Sequence, residues 1–109
     1  MSDGALHALI VTLLIEVPIV VAFFPRKWKR LGLVALGANA LTNVVLNVGL
    51  PALGVRGTPR ILVGEAFALV FEAAAYAIAS GARARSAIAS GVSNIASFTL
   101  GGVLAHWIW

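Results

Sequence analysis

Four stretches of mostly apolar residues, each about 20 long, alternate with three short connections that hold every lysine and arginine of the chain. The stretches are 5–24, 31–50, 61–80 and 86–106. A helix of that length crosses the roughly 30 Å hydrocarbon layer of a bilayer. The connections at 25–30, 51–60 and 81–85 carry Pro25, Pro51, Gly54, Gly57, Pro59 and Gly81, and their shortness makes neighbouring helices antiparallel. Membrane strands would need segments of roughly ten residues alternating apolar with polar, and the sequence lacks them. The chain therefore reads as an all-α integral membrane protein. It is a single transmembrane domain over 1–109 with four transmembrane helices, in hairpin one at 5–50 and hairpin two at 61–108. Composition agrees: 61% of the 109 residues are hydrophobic and 11% charged, whereas a soluble domain is about half apolar and a quarter charged. With no cysteine, thiolate metal sites and cysteine nucleophiles are excluded.

The distribution of positive charge sets the expected orientation. Arg26, Lys27, Lys29 and Arg30 lie in the first connection, Arg83 and Arg85 in the third, and Arg56 and Arg60 in the second. Positive residues favour the cytoplasmic side, so 25–30 and 81–85 are expected there and both termini outside, in a bacterial cytoplasmic (inner) membrane. His106, Trp107 and Trp109 suit the outer interface and Trp28 the inner one. No basic residue precedes the first apolar run and Glu16 interrupts it, which argues against a cleaved signal peptide. The basic residues are too dispersed for nucleic acid, and contact with anionic lipid headgroups accounts for them.

The two hairpins share a pattern. Setting Arg30 against Arg85 places Asn39 on Asn94 and Thr42 on Ser97, and one gap in the connection superposes Glu16 on Glu72. The common element is Glu, about 22 residues, then Asn-x-x-(Thr/Ser). Both copies start and end on the same side, so they form a parallel pseudo-repeat about an axis along the membrane normal.

The shared residues sit at one depth. Glu16, Asn39, Asn43, Glu72, Asn94 and Ser97 all fall within a turn of a span midpoint, forming a polar layer across four helices. Asn39, Asn43 and Asn47 line one stripe of the second span, and Glu65, Glu72 and Tyr76 one stripe of the third. Such stripes must face the bundle interior, because lipid offers amides and carboxyls no partner. Three intramembrane glutamates with no intramembrane lysine or arginine are the most informative feature. An unpaired carboxylate in low dielectric costs several kcal/mol, so each must be protonated, bind a cation or reach water. Tyr76, one turn beyond Glu72, can donate to that carboxyl or simply pack. Pro18 removes a backbone hydrogen bond beside Glu16 and is expected to kink the first span. Ser93, Ser97, Gly101 and Ala105 recur every fourth residue as a ridge for close helix packing. His7 and His106 share the outer end, but with Glu65 as the sole third candidate they make a weak metal signal, and no metal or cofactor is expected.

The length, the four helices and Glu16 near the middle of the first resemble the small multidrug resistance transporters. That resemblance implies ion-coupled export with Glu16 as the coupling group. The family's aromatic-rich pattern in the later helices is absent here, and Glu72 has no counterpart in it. The expected function is a proton- or cation-coupled transporter or channel, with Glu16, Glu72, Glu65, Asn39, Asn43, Asn94 and Tyr76 as candidate binding residues. Four helices enclose little of an aqueous path, so a homo-oligomer, a dimer or larger, is expected. The alternative is a non-catalytic small subunit packed against a larger membrane complex. Catalysis is not expected, since no nucleophile motif or phosphate loop is present.

The orientation is testable in a chain without native cysteine. Leu53→Cys should react with a membrane-impermeant maleimide in intact cells, and Ala84→Cys only after the membrane is opened; the reverse pattern would invert the assignment.

Overall fold

A computed structural model describes residues 3–55 and 57–108, with side chains described within 6–100 apart from 8 and 56. The side chains of Gly101, Ala105, His106 and Trp107, and all of Arg56 and Trp109, lie outside the described residues, so the outer part of the packing ridge and the outer aromatic belt do too.

The described residues form helices and turns with no strand. Helix α1 spans Asp3–Phe23 and runs through Pro18 without interruption of its helical assignment. A 3₁₀ turn at Pro25–Lys27 leads into α2, Trp28–Val44, so the basic residues Lys29 and Arg30 belong to the first turn of α2 rather than to a loop. The second helix continues past Val44 as a π-helical turn, Val45–Gly49, and a last α-turn, Leu50–Ala52. Proline supplies a reason: Pro51 has no N–H for the carbonyl of Asn47, and its ring crowds that carbonyl, so the backbone widens just before it. Helix α3 spans Gly57–Ser80 and α4 spans Arg83–Ile108.

The connections are tight because glycine permits them. Gly54 and Gly81 adopt φ of 84° and 77°, a left-handed conformation costly for other residues. Gly81 closes α3 by donating its N–H to the Ala77 carbonyl at 2.7 Å. Each helix packs on its sequence neighbours, and α1 closes the ring against α4, giving an up-down-up-down bundle 38 Å in its longest dimension. Lys27 Nζ, donating to the Ser80 carbonyl at 2.7 Å, ties the two basic connections together at one end.

The bundle is inverted relative to a water-soluble one. Its outer surface carries Leu14, Leu33, Val70, Ile78 and Ile95, each more than two-thirds exposed, while Glu16, Asn39, Glu72, Ser86, Ser90 and Ser93 are buried. Two helical segments, Pro25–Ala52 and Gly57–Ser80, are long and apolar enough to cross a membrane. Among the described residues the main apolar packing inside is one cluster, Val20, Phe24, Leu31, Ala35, Tyr76 and Ala89, between the midplane and the basic end.

The crossing of α2 over α3 rests on a glycine. A Cβ on Gly64 would collide with the side chain of Leu46, which the π-turn carries. Gly64→Ala should lower the bundle's stability by about 1–3 kcal/mol, read as a lower melting temperature in detergent, and adding Leu46→Ala should recover part of the loss.

Candidate functional site

The midplane residues converge. Glu16 on α1 and Glu72 on α3 are 2% and 0% exposed, and their carboxyl groups lie within hydrogen-bonding reach of one another. Each receives a hydroxyl from the other hairpin. Thr42 Oγ1, on α2, donates to Glu72 Oε2 at 2.9 Å, and Ser97 Oγ, on α4, donates to Glu16 Oε2 at 2.6 Å. The two hydroxyls are placed alike, each sharing its single hydrogen with the carbonyl three residues back, Asn39 for Thr42 and Asn94 for Ser97, both at 3.2 Å. Among the described residues no basic side chain acts on either carboxyl.

The two asparagines differ. Asn94 Nδ2 donates to Glu72 Oε1 at 2.7 Å and to the Ser90 carbonyl one turn back at 2.8 Å. Asn39 Nδ2 makes the same backward bond, to the Ala35 carbonyl at 2.7 Å, but its second partner is the Tyr76 hydroxyl at 3.3 Å. Tyr76 thus engages Asn39 and packs in the apolar cluster, the second of the two roles open to it from the sequence, joined to an acceptor role on α2. In consequence Glu72 has donors on both oxygens. Glu16 has one on Oε2 and none on Oε1, and Asn39 Oδ1 likewise has no partner. Buried oxygens without donors are uncommon in native cores, and these two belong to the same layer.

The other candidates sit around this centre. Asn43 donates to the Asn39 carbonyl and Asn47 to the Asn43 carbonyl, so both use their amides on their own helix. Asn47 Oδ1 in turn accepts from Arg60 Nη1 at 3.1 Å, so a polar column leads from Arg60 toward the glutamates. Glu65 is half-buried, outside the hydrogen-bonded pair but near enough for its charge to act on it. With Asn94 it lines an otherwise apolar groove of about 370 Å³ between α3 and α4, walled by Ile61, Leu69, Ile95 and Phe98. Ser93 is buried and donates to the Ser90 carbonyl. Ser97, expected only as packing and part of the polar layer, proves to be a direct carboxyl donor, as is Thr42. The Asn-x-x-(Thr/Ser) spacing was the available signal, since residues three apart share a helix face.

No protein family matches the chain, and neither a curated protein nor a solved structure is significantly similar to it.

Removing one donor should be measurable. Thr42→Val keeps the shape of the side chain and strips Glu72 Oε2 of its hydroxyl, at a cost of about 1–2 kcal/mol. Thermal unfolding in lipid nanodiscs should report the loss, and Thr42→Ser should restore most of it.

Proposed function

We propose that this chain is a membrane-embedded four-helix bundle that couples movement of a small solute to a proton or cation held between Glu16 and Glu72. The observation that carries this reading is the pair of facing, buried carboxyls with no basic side chain among the described residues acting on them, in a bundle whose outer surface is largely apolar. Two carboxylates at such separation repel strongly in low dielectric, so the pair must hold a proton or a cation, and exchanging it is chemistry the site can perform. An inert bundle core has no need of that arrangement, since apolar residues of similar volume pack as well or better.

All four helices cross the bilayer in this reading, with both termini outside. Exposed Leu and Ile side chains meet acyl chains, and the basic end meets anionic headgroups in the cytoplasmic leaflet. Arg26, Lys27, Trp28, Lys29 and Arg30 line a recess of about 330 Å³ there, which suits phosphate. The two hairpins are a parallel repeat, and the crossed hydroxyl bonds support it: Thr42 serves the glutamate of hairpin two and Ser97 that of hairpin one. The apolar cluster around Val20, Leu31 and Tyr76 separates the carboxyls from the basic end, while Asn43 and Asn47 line the way from the opposite end. That asymmetry fits a site reached from one side at a time. One bundle is too narrow to enclose a solute path beside its own core, so a dimer or larger homo-oligomer is the working unit.

The direct test is ion flux into proteoliposomes. Glu16→Gln and Glu72→Gln keep hydrogen-bonding capacity and remove ionisation, so each should abolish ion-coupled flux while leaving helicity unchanged. Full flux in either variant would refute the assignment.

A further inference from the structure

The two glutamates are related by the hairpin pattern yet carry different hydrogen bonds, and the difference traces to one side chain. Position by position the donors match: Thr42 with Ser97, each bonded to the carbonyl three residues back, and Asn39 with Asn94, each bonded to the carbonyl four back. The match fails where Asn94 reaches Glu72, because the corresponding bond from Asn39 to Glu16 is missing. Glu16 Oε1, left without a donor, is the oxygen that bond would have served. The reason lies four residues beyond each glutamate. After Glu72 that position is Tyr76, whose hydroxyl takes the Asn39 amide; after Glu16 it is Val20, which offers Asn94 nothing. Tyr76 and Val20 are both fully buried, so solvent does not compete for the Asn39 amide there.

From this we infer that Glu16 is the member of the pair that holds the exchangeable proton, Glu72 is the fixed acceptor, and Tyr76 is the positioning residue that keeps them unequal by holding Asn39 away from Glu16. A carboxylate is stabilised by N–H and O–H donors on its oxygens, and Glu72 has one on each. A protonated carboxyl needs one oxygen without a donor to carry its own hydrogen, and Glu16 Oε1 is that oxygen. Its hydrogen can then be donated across the pair to Glu72, within reach. The charged and titratable groups facing Glu16 are Glu72, Glu65 and, through the pair, Tyr76, all acidic, so none offers Glu16 a positive partner. This assignment rests on the ion-coupled reading only for its purpose; the inequality itself is a property of the resting bundle.

The test uses dicyclohexylcarbodiimide on the full chain in lipid nanodiscs, with the modified residue located by mass spectrometry. The reagent adds a protonated carboxyl across its C=N bond, oxygen to carbon and hydrogen to nitrogen, so it marks the proton holder. The wild-type protein should be modified at Glu16 and at least about tenfold less at Glu72. Preferential labelling of Glu72, equal labelling, or none at either would overturn the assignment. Tyr76→Phe keeps the ring and frees the Asn39 amide for Glu16, so Glu16 labelling should fall about tenfold, the effect of one added hydrogen bond to the charged form. The double variant Asn39→Ala with Tyr76→Phe should return to the wild-type level. Unchanged labelling in Tyr76→Phe would remove the positioning role. Proteoliposomes that pass no ions while the labelling pattern holds would count against transport and leave this assignment standing.

Discussion

A carboxyl group without a counter-charge is the constraint around which the bundle is arranged. Glu16 and Glu72 are both buried, and the nearest compensation they have is hydroxyl, amide and each other. Each of those donors must arrive from a helix at the right height, which fixes the register of α2 and α4 against α1 and α3. Apolar contacts specify register less sharply, since they lack the directionality of a hydrogen bond. Directional bonds from Thr42, Asn94 and Ser97 admit one register. The interior around the glutamates is consequently polar and small, and the large apolar residues lie on the outer surface or in the cluster toward the basic end.

The sequence carried much of this arrangement in legible form. Four helices, the three connections and the common depth of the glutamates and asparagines follow from where charges, prolines and apolar runs fall, because those are local properties. What the residues alone did not specify was which donor meets which acceptor. The Asn-x-x-(Thr/Ser) spacing put Thr42 and Ser97 on the correct faces, but the crossing of each hydroxyl to the other hairpin depends on how the two hairpins rotate against each other, a non-local outcome. Tyr76 illustrates the limit: four residues from Glu72 on one helix face, it was a plausible donor to that carboxyl, yet its hydroxyl is used on α2. The π-turn at Val45–Gly49 was also unmarked, although Pro51 supplies its cause in hindsight.

The position of the apolar cluster adds a directional argument. Val20, Phe24, Leu31, Ala35, Tyr76 and Ala89 close the end of the core that faces the basic connections, and Lys27 pins those connections together over it. Beyond the glutamates on the other side the interior continues as amides, Asn43 and Asn47, ending at Arg60. An amide column can hold water more readily than an apolar plug, because each water needs two to four polar partners. The glutamate pair thus sits between unlike surroundings, amides toward Arg60 and apolar side chains toward Tyr76 and Val20.

That seal and the inequality of the glutamates share a residue. Tyr76 fills the cluster with its ring and holds Asn39 with its hydroxyl, so packing at the basic end and hydrogen bonding at the midplane are coupled through one side chain. If α3 moved enough to break the cluster, the Tyr76 hydroxyl would leave Asn39, and the freed amide would have Glu16 as its nearest matching partner in the hairpin pattern. Donation there would favour the charged form of Glu16 and release its proton as the dry end opened. Two events that a coupled carrier must synchronise, opening of one side and loss of the bound proton, would then follow from a single displacement. Two equivalent hairpins, each with a valine at that position, could hold a proton between their glutamates but would have no such link between the seal and the site.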